Sequence, residues 1–143
     1  MTIRILKEMN HADKQYIQDQ LYFFNVKHFP EDLRGRYEEI SLFLKDDNDK
    51  VRGGLLSEVC WNWLEIHILY VDEELRKAGY GTQLMLEIEK IAREKQCDFI
   101  KVDTLSFQAL AFYEKHGYTV YGKLDNVGRD YEHYYLKKDL ACL

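Results

Sequence analysis

Arg76, Lys77, Gly79, Gly81 and Thr82 lie together in the run R-K-A-G-Y-G-T, and their types suit the capture of an anion. A glycine has no Cβ, so its backbone can approach a bulky diphosphate and can take positive φ. Arg76 and Lys77 place cations where phosphates would lie, and Thr82 offers a hydroxyl. If a helix begins here, the main-chain N–H groups from Ala78 through Tyr80 to Thr82 face an incoming anion, and the helix dipole favours one. The dinucleotide fingerprint G-x-G-x-x-G needs a third glycine where Leu84 stands, and the P-loop's Gly-Lys-Ser/Thr is missing. The plain alternative for Arg76-x-x-Gly79-x-Gly81 is a tight strand-to-helix turn with no ligand. Upstream, Glu65 and His67 are two titratable groups on what reads as a sheet strand.

The elements that would position these residues follow from periodicity. Ile66–Val71 is an apolar, β-branched run that reads as a buried strand, and Asp72–Lys77 as a charged turn. A helix over about Tyr80–Lys95 carries Leu84, Ile88, Ile91 and Ala92 on one face, with Glu89 and Arg93 as an i, i+4 pair on the outer face. Taking the strand from Leu64, period two puts Glu65, His67, Leu69 and Val71 on one side and Leu64, Ile66, Ile68 and Tyr70 on the other. A buried carboxylate is costly without a partner. Either this end of the strand lines a wet cleft, or Glu65 and His67 form a structural hydrogen bond.

Elsewhere, residues 2–7 alternate around Ile3 and Ile5 and read as a first strand. His11–Phe24 reads as a helix with Ile17, Leu21 and Phe24 facing a core. Pro30–Gly35 is a loop. Tyr37–Lys45 and Val51–Cys60 read as an antiparallel pair, and Gly53 and Gly54 suggest a bulge or a close backbone approach. The acidic run Asp46–Asp49 lacks the ligand alternation, glycine and glutamate of a calcium loop and reads as a solvated hairpin turn. Asp98–Leu105 should run parallel to the Leu64 strand. Ser106 is a candidate cap for a helix over Phe107–Lys115, closed by Gly117. Tyr118–Lys123 and Tyr131–Lys138 read as a final hairpin, with Tyr131, His133 and Tyr135 on one side, shaping an acceptor pocket or a dimer contact.

With 143 residues, 46% hydrophobic and 31% charged, the chain reads as one domain, residues 1–143, with a real core. No apolar run approaches the length of a membrane span, and the N-terminus lacks a signal-peptide core. Cys60, Cys97 and Cys142 are dispersed, which points to reduced thiols and a cytoplasmic location, with no disulfide frame or zinc site. A net charge of −5 with interleaved signs argues against nucleic acid and favours a cationic or amine partner.

Two stretches, in this order, resemble the signatures of the GCN5-related N-acetyltransferase (GNAT) family. The first is Arg76-x-x-Gly79-x-Gly81 after a strand ending in Val71-Asp72. The second is Ala109-Leu-Ala-Phe112-Tyr113-Glu-Lys-His-Gly117-Tyr118, similar to the family's A-x-x-F-Y-x-x-x-G-F/Y. The resemblance implies a mixed α/β fold, with a central twisted sheet of six to seven strands flanked by helices. It implies acetyl-CoA as co-substrate, no metal, and direct attack by a primary amine, small molecule or peptide, in a ternary complex. The diphosphate would rest on Ala78–Thr82. The pantetheine arm would enter a gap between splayed strands and pair with the backbone of Leu69, Tyr70 and Val71. Ser106 stands where the family often has a cofactor-contacting asparagine, and Phe112 would pack against the cofactor or in the core. Glu65 matches the catalytic glutamate of histone-modifying members, with His67 as a further acceptor-site or relay residue. Tyr113 matches the tyrosine that protonates the departing thiolate or stabilises its charge. The first helices would wall the acceptor site. A CoA-holding module without turnover and an unrelated nucleotide binder are the alternatives.

Overall fold

Strands β1 (Tyr37–Lys45), β2 (Val51–Cys60), β3 (Trp63–Val71), β4 (Phe99–Leu105), β5 (Thr119–Val127) and β6 (Tyr131–Asp139) make one mixed sheet in the order β1-β2-β3-β4-β6-β5. They belong to a computed structural model that describes residues 1–140, so Cys142 lies outside the described residues. The chain falls into two compact units, Met1–Gly35 and Arg36–Leu143. The first holds α1 (His11–Val26), whose Asn10 side chain accepts from the Asp13 N–H at 3.1 Å, as an N-cap should. A 3-10 turn over Glu31–Leu33 follows. Residues 2–7 form no strand. A short alternating run becomes a strand only where a neighbour completes its ladder, and the six strands all lie in the second unit.

The second unit also holds α2 (Tyr80–Glu94) and α3 (Leu110–Lys115). Leu64, Ile66, Ile100, Val102 and Leu136 turn one sheet face inward against Leu84, Met85, Ile88 and Ala92 of α2 and Tyr113 of α3. Each such aliphatic side chain contributes roughly 1.5–3 kcal/mol by leaving water. Glu89 is part of this face, not the outer one expected for it, and is 3% exposed. Its carboxylate accepts from Lys138 Nζ at 2.9 Å and from the Tyr118 hydroxyl at 3.2 Å, partners that only β6 and the segment before β5 can bring. Arg93 stays exposed.

Strand phase also departs from the expectation. Leu56 pairs with Ile68 but Ser57 pairs with Ile66, so His67 is an extra residue in β3, a β-bulge. One inserted residue reverses the alternation beyond it. Leu69 and Val71 therefore join Leu64 and Ile66 on the core face, while Ile68 and Tyr70 lie 53% and 50% exposed. The glycines of β2 do mark a close approach. A Cβ on Gly53 would stand 2.6 Å from the Tyr70 carbonyl oxygen, and one on Gly54 would stand 2.5 Å from that of Leu42.

β3 and β4 run parallel but pair only from Trp63–Phe99 to Ile66–Val102. β3 continues against β2 as far as Val71, and β4 continues against β6 as far as Leu105. The sheet therefore forks at Ile66 and Val102. No helix among the described residues is long and apolar enough to cross a membrane.

Candidate active site

The glycine turn sits at the end of the β3 arm of this fork. After Val71 comes a 3-10 turn, Glu73–Leu75. Lys77 and Gly79 then take φ values of +67° and +89°, and Gly79 stands at the N-cap of α2. The first α2 bond at this end is Gln83 N–H to the Gly79 carbonyl at 3.0 Å, so the amides of Tyr80, Gly81 and Thr82 precede the helical ladder and point outward. A Cβ on Gly79 would meet nothing within 4 Å. Ala78 and Gly79 are exposed, so the bend is open to a ligand.

Arg52 braces this bend from β2. Its guanidinium holds Asp72 at 2.8 Å and Asp46 at 3.5 Å and also contacts Glu74. The Asp72 carboxyl is thereby held below the usual carboxylate range.

The side chains expected to grip phosphate are partly engaged elsewhere. Arg76 Nε donates to the Val71 carbonyl at 2.8 Å, and its guanidinium lies 5.5 Å from the Tyr70 ring centroid. The Thr82 hydroxyl lies 3.2 Å from Nε2 of His116, the C-cap of α3. Gly81 serves packing: a Cβ there would stand 3.3 Å from the Phe112 ring, which holds α3 against the start of α2. Ser106 does not cap α3. Its Oγ accepts from the Glu132 N–H at 3.1 Å, and α3 begins later, after Ala109. Gly117 closes α3 at φ +91°, with the Gly117 N–H bonded to Glu114 and the Tyr118 N–H to Tyr113.

Tyr113 is 5% exposed and its ring packs in the core. Burial pushes its phenol up to about 12, and the charge of Asp103 adds to the shift. Among the described residues, no protein group is hydrogen-bonded to its hydroxyl.

Glu65 lies on the opposite sheet face, half-buried, with Glu58 and Lys101 as its cross-strand neighbours. Oxygen and nitrogen atoms of Glu58, Glu65 and His67 lie within 4.8 Å of one another. Glu58, a residue that local pattern did not single out, is the hub. It accepts from the Tyr37 hydroxyl, from Cys60 Sγ at 3.4 Å, and from His67 Nε2 at 3.2 Å. Burial alone would raise its carboxyl, but these three donors outweigh that and lower it. These three donors make Glu58 the centre of a hydrogen-bonded network. Burial and Glu58 together push the Cys60 thiol up to about 12, which leaves it protonated and unreactive at neutral pH. Burial likewise raises the thiol of Cys97.

Comparison with known proteins accords with this architecture. The profile of the Acetyltransferase (GNAT) family matches residues 5–118. Acetyltransferase Atu2258 of Agrobacterium fabrum is 29% identical over 121 residues, covering 84% of this chain and 86% of its own. Blasticidin-S acetyltransferase of Streptomyces morookaense is 40% identical over 73 residues, covering 50% of this chain and 54% of its own. The crystal structure of an acetyltransferase from Bacillus cereus superposes with a TM-score of 0.89 at 34% identity, over 96% of this chain and 98% of its own. The forked sheet, the open turn before α2 and these matches together show that the chain belongs to the GNAT family of acetyltransferases.

Proposed function

We propose that the chain moves an acetyl group from acetyl-CoA to a primary amine, by direct attack in a ternary complex. The observation that carries this reading is the fork: β3 and β4 part after Ile66 and Val102, and the open amides of α2 follow directly on the β3 arm. The diphosphate rests on the backbone of Ala78, Gly79, Tyr80, Gly81 and Thr82, with Lys77 and Arg76 as nearby cations. The pantetheine arm pairs with the edge of β3 at Leu69, Tyr70 and Val71, which β4 leaves free, as an added strand would. Phe112 and Ser106 lie along the other side of its path.

The amine attacks as a free base, so it must first lose a proton, and Glu65 takes it. The nitrogen bonds to the thioester carbon, the carbon–sulfur bond breaks, and the sulfur leaves as a thiolate. A phenol at about 12 is a weaker acid than a thiol near 8.5, by about 3.5 units, so complete transfer would be uphill by about 5 kcal/mol. Tyr113 therefore acts chiefly by donating a hydrogen bond to the charge as it develops on sulfur. Positioning of the two substrates supplies most of the remaining acceleration.

We extend the reading to the whole chain as one N-acetyltransferase domain, because the family profile crosses the boundary between its two units. The blasticidin-S acetyltransferase among its relatives supports a small-molecule acceptor. A cytoplasmic location suits the unpaired thiols, and the aromatic β5–β6 hairpin is the surface we assign to a homodimer.

The test combines calorimetric titration of acetyl-CoA with a thiol-release assay across a panel of amines. Binding followed by amine-dependent thiol release is expected. Binding with no release on any amine favours a CoA-holding module, and no binding ends the reading.

A further inference from the structure

Asp103 is the first β4 residue beyond the last β3–β4 pair, at the crotch of the fork. Its neighbours Val102 and Thr104 turn into the core, 4% and 3% exposed, so Asp103 projects from the opposite face, the one that carries Glu65. Its Oδ2 lies 2.8 Å from His133 Nε2, and His133 Nδ1 lies 3.2 Å from the Tyr135 hydroxyl. The two rings of β6 are 4.4 Å apart, so each restrains the other. A Tyr135 O–H that donates to Nδ1 leaves the Nε2–H to donate to Asp103. The ring thus aims the carboxylate.

The two lysines on this face are drawn elsewhere. Lys137 is drawn to Asp139 at 3.1 Å, and Lys101 lies over the Trp63 ring at 5.4 Å. Among the described residues, the one side chain paired with Asp103 is His133. The Asp103 carboxylate is 46% exposed, and its charge reaches Tyr113, where it helps to raise the phenol. An oriented carboxylate thus stands at the fork, within electrostatic reach of the residue assigned to the leaving sulfur.

Glu65 is the base assigned to the attacking nitrogen, so a second carboxylate is not needed there. Asp103 is better suited to a cation that does not react. We propose that Asp103 is a specificity-determining residue that receives a second, non-reacting cationic group of the acceptor, with His133 and Tyr135 as its positioning residues. The acceptor class is then a diamine or a larger polycationic amine. This inference rests on the acetyl-transfer reading of the same site.

The test compares 1,4-diaminobutane with butylamine, both as ligands of the CoA-saturated protein by calorimetry and as acceptors by kcat/KM. The unmodified protein is expected to favour the diamine by about tenfold or more, mainly through binding and KM. Asp103→Asn keeps an oxygen for His133 to donate to but removes the charge. It should shrink the preference to less than about threefold. If that variant is unstable, His133→Gln releases the carboxylate from its orienting ring and should lower the preference in the same direction. Equal binding of the two amines by the unmodified protein overturns the proposal, as does an undiminished preference in a folded variant. Turnover without any diamine preference sinks this inference and leaves acetyl transfer standing. A charge-dependent preference in binding with no turnover on any amine does the reverse.

Discussion

A phenol held at about 12 keeps its proton across the neutral range, and at Tyr113 burial is the main cause. Since no protein group bonds its hydroxyl among the described residues, Tyr113→Phe should leave folding nearly untouched, within about 0.5 kcal/mol by denaturant melt. Turnover should fall about 10- to 100-fold with acetyl-CoA affinity preserved, and an unchanged turnover number would remove Tyr113 from the chemistry. Glu58 shows the opposite shift. A carboxyl lowered by folding contributes stability above its unfolded value of about 4.3, and that stability is lost as pH falls through the lower folded value. Glu58→Gln should therefore cost about 1 kcal/mol at pH 7, a figure discounted for the exposure of Tyr37, and progressively less below about pH 4. Melting temperatures of the two proteins across that range test it; a gap that stays constant with pH would mean the charge of Glu58 is not what its neighbours hold. Residue roles were unevenly legible. Tyr113 and Gly79 stand inside contiguous motifs, whereas Glu58 is one acid among many until β1 and β3 bring Tyr37 and His67 to it.

Among the elements, the strand–turn–helix from β3 to α2 was readable because its signals are local: a β-branched run, a charged turn, glycines, then helical spacing. The bulge at His67 was not readable, since nothing within β3 distinguishes an inserted residue from a paired one; the partner strand decides it. The outward placement expected of Glu89 failed for a related reason. Helical periodicity marks a position as polar, but only β6 can supply a buried polar residue with its counter-charge. The Glu89–Lys138 pair, 2.9 Å apart and with Glu89 3% exposed, ties α2 to β6. Lys138→Met strands a buried carboxylate and should cost roughly 3–5 kcal/mol in a denaturant melt. Replacing both partners, Glu89→Leu with Lys138→Met, should recover much of that loss. A double variant no more stable than the single would show that the packing of the two side chains, not their charges, is what matters.

For the whole molecule, the decisive feature is a sheet that divides at Ile66 and Val102 into two arms with a glycine turn at the tip of one. A ligand seated there binds only the folded chain, so acetyl-CoA should raise the melting temperature. Stabilisation should reach about 2.7 kcal/mol at a hundredfold excess over Kd, while ATP and GTP should have little effect. The reverse ranking in a thermal-shift screen would return the turn to the nucleotide-binding class. The amino-acid order alone determined the motif pair, the kind of fold and the open bend before α2, because each rests on residues close together in the chain. Tertiary structure alone decided which acids meet which bases: Glu58 with His67, Asp103 with His133, Glu89 with Lys138. Those pairings depend on strand register and on one extra residue in β3, and local periodicity carries no information about either.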